Sequence, residues 1–383
     1  MKIRKIAYLL FVFIPLFVLF LLGTFLDTDK TKSERERRKL AQKTEKPLMY
    51  PQAFEKYLSD HLWGRDIFLD IYFKVGMSLN LGTNKVLIGK KGWLFQNVVS
   101  DRNNLHNLLS YANKLNLSEK QLNKIRTNLL KMKQFCDENN IKMYLMFPPD
   151  KHRIYARYMP SYILREERPS LVKRIAILVP EGIRFVKLED KMIAESFNEN
   201  TLLYYKTESH WSEDGAYLAY RLLMDKIKQD FPDIQIADPT DFNISSKQSV
   251  FTPYWPIDKQ PRWTKGNLFL EGIKTDDVLY THYELKPKNN IQMMWSIPFV
   301  TSFNPNKDYN VYMIGDSYAP YLSTFLAQSF KNVYFYRFNP TGGKFGIDFL
   351  KRQSQMIQQK TDILIMSVSD LKILDLERAF NAI

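Results

Sequence analysis

From about residue 142 onward, short apolar runs alternate with amphipathic helical stretches, and this rhythm constrains the fold of the 383-residue chain more than any other feature. Strand-like runs read at Lys142–Phe147, Ile183–Val186, Leu202–Tyr204, Val311–Ile314, Val333–Arg337 and Ile363–Met366. Helical periodicity falls between them, near 170–178, 189–197, 213–229, 318–330 and 347–358. Short apolar strands separated by helices predict an α/β fold whose mostly parallel sheet is flanked by helices on both faces. Upstream, Pro51 opens a helical stretch carrying Phe54, Leu58, Leu62, Ile67, Phe68, Ile71 and Tyr72. Val86–Phe95 holds two apolar runs around a Gly-bounded turn and reads as a hairpin. Ser118-Glu119-Lys120-Gln121 is a capping box that opens a long helix ending near Asn139-Asn140. Residues 236–305, rich in Pro, Asn, Lys and Trp, break the rhythm; they are either an insertion that shapes a substrate groove or a long ordered excursion.

Several function classes drop out on composition. No period of 20 to 50 residues recurs, which sets aside solenoids and propellers. Cys136 is the single cysteine, so no internal disulfide forms, and its place in an amphipathic pattern predicts core packing. The five histidines, His61, His106, His152, His210 and His282, show no zinc-type spacing, and no metal or cofactor is expected. Of the net charge of +14, residues 1–50 carry +6, from eleven Lys/Arg against five Asp/Glu. No nucleic-acid-binding motif accompanies the basicity, so a nucleic-acid partner is not expected.

Ile6–Leu26 is apolar and uncharged, long enough to cross about 30 Å of hydrocarbon as a helix. Gly23-Thr24-Phe25-Leu26 puts bulky residues where a signal-peptide cleavage site needs small ones, so an uncleaved transmembrane anchor is expected. Residues 1–5 then form a tail and 27–50 a basic linker. The cluster Lys30, Lys32, Arg35, Arg37, Arg38 and Lys39 either meets anionic headgroups or is a solvated linker. Basic residues lie on both sides of the apolar segment, and their count does not orient it.

Two segments carry chemistry. The run Tyr309–Ile314 ends in Gly315-Asp316-Ser317 and passes into a helical pattern, which puts Ser317 at a strand's carboxyl end and a helix's start. Open α/β sheets bind ligands outside those strand ends, and free N–H groups there can meet developing negative charge. The same tripeptide also serves as an ordinary N-cap. A serine hydroxyl needs a base to take its proton and a third group to fix the base's tautomer. His210 is the candidate base and Glu208, two residues earlier on an extended loop, the candidate orienting acid, with Asp214 as the alternative acid. Taken alone, this is also what a loop histidine beside a surface carboxylate looks like.

Together these segments resemble the alginate O-acetyltransferase family of the AlgJ and AlgX type. Further matching pieces are Phe54–Arg65 (FEKYLSDHLWGR), Val86–Phe95 (VLIGKKGWLF) and Pro149–Pro160 (PDKHRIYARYMP). The resemblance implies an SGNH-hydrolase-like catalytic domain over 51–383 and a catalytic Ser317, His210 and Glu208, although the family's acid is Asp. It implies an oxyanion hole from the Ser317 N–H with Gly342 or Gly343; the asparagine donor of many SGNH enzymes has no counterpart in Ser367-Val368-Ser369-Asp370. Lys151, Arg153 and Tyr155 either line a groove for sugar or acyl donor or position their loop, and Trp211 and Tyr318 are further groove candidates. The implied activity is O-acyl, most simply O-acetyl, transfer to hydroxyls of a cell-surface or exported polysaccharide through an acyl-serine. A membrane-bound O-acyltransferase partner would supply the acyl group. The implied location is a bacterial inner membrane, single-pass, with the catalytic domain on the outer, periplasmic side. An esterase (deacetylase) using the same residues is one competing reading. A non-catalytic carbohydrate-binding or assembly subunit, disabled by the Glu208 change, is the other.

Overall fold

The computed structural model describes residues 14, 18, 32–33, 38–39, 41–43, 50–61, 86–97, 107–206, 208–248, 279–296, 299–338 and 347–380. The chain divides into two units, 1–81 with 253–276, and 82–252 with 277–383. In the first, a helix spans Pro51–His61. Tyr57 and His61, one turn apart on it, stack with centroids 4.3 Å apart, and the Asp60 carboxylate accepts the Ala41 N–H at 2.7 Å. The expected anchor lies outside the described residues apart from Ile14 and Val18, and no helix among the described residues is long and apolar enough to cross a membrane.

The second unit begins with a hairpin, β1 (Val86–Ile88) and β2 (Leu94–Gln96), followed by α1 (Asn107–Tyr111) and α2 (Glu119–Glu138). The capping box at the start of α2 is formed: Ser118 Oγ accepts the Gln121 N–H, and Gln121 Oε1 accepts the Ser118 N–H at 3.0 Å. Then come β3 (Lys142–Met146), α3 (Lys151–Ile154), α4 (Leu171–Ala176), β4 (Arg184–Val186), α5 (Glu189–Glu195) and α6 (Glu213–Ile227). A hairpin of β5 (Phe242–Gln248) and β6 (Leu279–Leu285) precedes β7 (Gln292–Ser296) and β8 (Phe299–Phe303). The chain ends in β9 (Asn310–Gly315), α7 (Pro320–Ser329), β10 (Asn332–Arg337), α8 (Phe349–Gln358), β11 (Ile363–Ser367) and a 3-10 stretch, Asp370–Arg378.

The central sheet runs β4-β3-β11-β9-β10-β8-β7. Its first five strands are parallel, as their continuous apolar runs require, and β11 at its heart is buried at every position. The last two are antiparallel, which makes the sheet mixed rather than mostly parallel throughout. Of the 236–305 excursion, the described residues form the antiparallel β5/β6 pair and extend the sheet with β7 and β8, while 249–278 lie outside the described residues. Leu202–Tyr204 is not a strand; Tyr204 makes a single bridge with Trp211. Alternate strand residues separate into two layers. Met143, Leu145, Tyr312, Ile314, Leu364 and Met366 pack with Ile125, Leu129 and Met132 of α2 and Met356 of α8. Cys136 belongs to this layer, and burial pushes its thiol up to about 12, which keeps it inert.

Candidate active site

Each residue of Gly315-Asp316-Ser317 has its own physical task. A Cβ on Gly315 would overlap that of Ala319 and sit 3.0 Å from the Ser367 carbonyl, so glycine lets the strand end approach the following turn. Asp316 spends its carboxylate on backbone: Oδ1 accepts the Tyr318 N–H at 3.0 Å and Oδ2 the Ser369 N–H at 2.7 Å. This ties the β9 and β11 ends together and holds the turn that displays Ser317, which is partly exposed. The N–H groups of Asp316, Tyr318 and Ala319 are all bonded, to Ser367 O, Asp316 Oδ1 and Asp316 O. The Ser317 N–H is the one in this turn with no acceptor among the described residues.

The histidine loop is held from both ends. Ser212 caps α6, its Oγ accepting the Gly215 N–H and donating to Leu202 O, while the Tyr204–Trp211 bridge closes the loop between them. Glu208 bends back onto its neighbour: Oε1 lies 2.6 Å from His210 Nδ1, and Oε2 accepts the His210 N–H at 2.8 Å. The extra methylene of Glu is absorbed by this double contact. Burial alone would raise the Glu208 carboxyl, but the charge and hydrogen bonds of His210 and the nearby Lys151 ammonium outweigh it and hold the group below its ordinary value.

Tyr318 joins the two segments. Its hydroxyl donates to Ser209 O at 3.0 Å, its carbonyl accepts Trp211 Nε1–H at 3.1 Å, and its ring lies 4.9 Å from that of His210. The loop carrying His210 is thereby fastened to the residue immediately after Ser317. Tyr321, one turn further on, also stacks against the imidazole, with ring centroids 5.9 Å apart.

Among the described residues, His152, His210 and His282 face a carboxylate through Nδ1, and their other nitrogens tell them apart. His152 contacts Asp150 at 2.6 Å, but its Nε2 is tied to Gln96 O at 2.8 Å, and the side chain is almost wholly enclosed. His282 contacts Glu213 at 2.7 Å from β6, where the Glu213 carboxylate also takes the Tyr283 N–H, so the pair fastens the hairpin to α6. Only His210 combines a carboxylate on Nδ1 with an Nε2 that is unbonded among the described residues and a place beside the serine turn. Asp214 accepts from Thr281 Oγ1 and Tyr283 OH, at 2.7 and 3.0 Å, and is committed to the hairpin rather than to His210.

The expected groove residues are corrected by their burial. Lys151, Arg153, Tyr155, Trp211 and Tyr318 are each at most 4% exposed and spend their polar atoms inside. Arg153 donates to Ser110 O and Asn113 Oδ1, and Tyr155 OH accepts the Leu203 N–H. They shape the loops from within and offer no face to a sugar. Charged residues just past a strand end look like groove residues in sequence; only the packed structure reveals their backbone partners. Gly342 and Gly343 lie outside the described residues. Asp316, Tyr321 and Tyr280 carry no sequence signal beyond their neighbourhood. Tyr280 reaches the site from β6, its ring 4.7 Å from Tyr205 and its hydroxyl accepting the Lys206 N–H at 2.8 Å.

A family model described as an SGNH hydrolase-like domain of the acetyltransferase AlgX matches residues 86–365. A comparison with curated protein sequences finds no match. Among solved structures the fold is similar to that of PatB1 from Bacillus cereus, 17% identical with a TM-score of 0.53, over 75% of this chain and 96% of that one. It is similar also to a DHHW family protein from Eubacterium siraeum, 14% identical with a TM-score of 0.50, over 78% and 96%. The O-acetyltransferase domain of Pseudomonas putida AlgJ is 15% identical with a TM-score of 0.43, over 76% and 92%.

Proposed function

Because the chain belongs to the SGNH hydrolase-like family of the acetyltransferase AlgX, with an α/β SGNH-like fold built on a mixed sheet, we propose that it is an O-acyltransferase. Its acceptor is a hydroxyl of a cell-surface or exported polysaccharide, its acyl group acetyl, and its intermediate an ester of Ser317. The observation that carries this reading is the Glu208–His210 pair, fastened by Tyr318 to the turn that displays Ser317.

In the first half-reaction Ser317 Oγ attacks the donor's carbonyl carbon while His210 Nε2 takes the hydroxyl proton. The carbonyl oxygen becomes an oxyanion, to which the Ser317 N–H is the available donor, and Glu208 faces the imidazolium that forms. Collapse expels the donor's oxygen, which leaves with the proton from His210. In the second half a sugar hydroxyl attacks the Ser317 ester and gives its proton to His210. The serine oxygen departs and recovers that proton, leaving the acyl group on the sugar.

We place the apolar segment 6–26 in a bacterial inner membrane as a single anchor, with the catalytic unit on the outer side. A membrane-bound O-acyltransferase then passes it the acyl group. The test uses the full chain in detergent with 4-nitrophenyl acetate as donor. A transferase releases acetate slowly until the acceptor oligosaccharide is added, then consumes donor faster and places acetyl mass on the sugar, because a positioned hydroxyl outcompetes water. Fast hydrolysis that no glycan diverts identifies an esterase instead, and no turnover with any donor identifies a binding or assembly subunit.

A further inference from the structure

Lys151 is a buried charge whose donors all turn inward. It opens α3, directly beyond the carboxyl end of β3, and is only 2% exposed. Its ammonium lies over the rings of Phe95 and Trp93, 5.3 and 5.8 Å from their centroids, and so under the β1/β2 hairpin. Three backbone carbonyls converge on Nζ: Tyr205 O at 3.2 Å, Lys206 O at 3.3 Å and Glu208 O at 2.8 Å. An ammonium has three N–H donors, and all three are accounted for.

These carbonyls belong to the stretch between the Tyr204 bridge and His210, whose described residues form no strand. Outside Lys151, the grips on 205–208 include the Leu94 N–H on Lys206 O and the Tyr280 hydroxyl on the Lys206 N–H. A charge sealed among aromatic rings is costly unless fully bonded. Burial pushes the Lys151 ammonium down to about 7, against the opposing pull of the Glu208 and Asp150 carboxylates. An apolar side chain of equal length would leave the Tyr205 and Glu208 carbonyls without this donor and Lys206 O with the Leu94 N–H alone. The site therefore uses a costly residue where only a three-donor cation satisfies what the loop presents.

We propose that Lys151 is a positioning residue for acyl transfer, which gathers the Tyr205, Lys206 and Glu208 carbonyls and so fixes the angle at which Glu208 presents His210 to Ser317. This rests on the Ser317, His210 and Glu208 assignment above. The bond to the Glu208 carbonyl fixes that residue's backbone, and its side chain closes the 2.6 Å contact with the imidazole. Lys151 touches no reacting atom and acts through the loop alone.

The experiment compares full-length wild type with Lys151→Met and Lys151→Arg. Turnover of 4-nitrophenyl acetate is measured against pH, and the low-field proton resonance of the Nδ1–H held by Glu208 is recorded by NMR. Lys151→Met should lose roughly a hundredfold in kcat per folded molecule with KM within about threefold of wild type, the signature of misplaced rather than missing groups. Its low-field resonance should broaden or disappear. Lys151→Arg, which keeps charge and donors, should recover part of each. Wild-type turnover and an intact resonance in Lys151→Met would overturn the proposal. So would a loss explained entirely by a smaller folded fraction, with the remaining molecules turning over normally. If Lys151→Met does not fold, Lys151→Gln, with two N–H donors and no charge, is read by the same criteria. A wild type that never acylates Ser317 would sink the triad assignment, while the resonance comparison would still decide whether Lys151 holds the Glu208–His210 pair.

Discussion

Replacing Glu208 with alanine tests how the pair works. Glu208 makes two hydrogen bonds to His210, and only the 2.6 Å bond to Nδ1 changes during reaction, because the ring becomes an imidazolium as it takes the Ser317 proton. The 2.8 Å bond to the backbone N–H is alike in both states and bears on loop stability. A hydrogen bond to a charged partner contributes about 1.5–3 kcal/mol, which at about 1.4 kcal/mol per decade is roughly ten- to 150-fold in rate. Glu208→Ala should therefore lower the acylation rate by that range, while Ser317→Ala and His210→Ala lose more, since they remove the nucleophile and the base. Glu208→Asp should retain more than Glu208→Ala, its shorter side chain relying on closure of the loop. The assay is the pre-steady-state burst of 4-nitrophenol, scaled to folded protein. Wild-type bursts from both Glu208 variants would refute the reasoning and mean that the ring is oriented without Glu208.

The Glu208 carboxyl is held below its ordinary 4.5 in the folded chain, so its contribution to stability is complete above about 4.5 and is lost as pH falls through the lower folded value. The gap in urea stability between wild type and Glu208→Gln should accordingly stay constant down to about pH 5 and shrink below it; a gap that does not narrow would contradict the sign. Gly315→Ala should destabilise the protein by about 1–3 kcal/mol in urea unfolding, because the added methyl meets Ala319 and the Ser367 carbonyl, and should slow acylation as the serine turn shifts. Tyr318→Phe removes the hydroxyl bond to Ser209 O, and should cost about 0.5–1.5 kcal/mol of stability with a fall in kcat, whereas unchanged kcat would deny Tyr318 its part in joining the two loops.

The parallel core was legible because buried parallel strands cannot hide their composition. Tyr312–Ile314 and Ile363–Met366 are apolar on both faces and could be little else. The antiparallel edge was not. β7 is mostly exposed, and β8 buries Val300 and Ser302 while exposing Phe299 and Phe303, so neither shows the apolar alternation of a half-buried strand in its sequence. Leu202–Tyr204 looks like a strand because it is buried and apolar, yet what its carbonyls meet is a serine cap and one bridge. The pairing of Glu208 with His210 is a local matter of two residues on one side of an extended loop, which sequence spacing can suggest. The placement of Lys151 is not local. Its three carbonyl partners lie more than fifty positions away, and nothing in a Pro-Asp-Lys-His run distinguishes a buried clamp from an exposed ligand.

The most direct test of the account is the mass of the full-length chain after brief exposure to an acetyl donor and acid quenching, followed by peptide mapping. One added acetyl group should appear on the peptide containing Ser317, absent from Ser317→Ala, slow to form in His210→Ala and discharged when acceptor glycan is added. Acetyl mass on any other residue, or donor turnover that persists undiminished in Ser317→Ala, would contradict it.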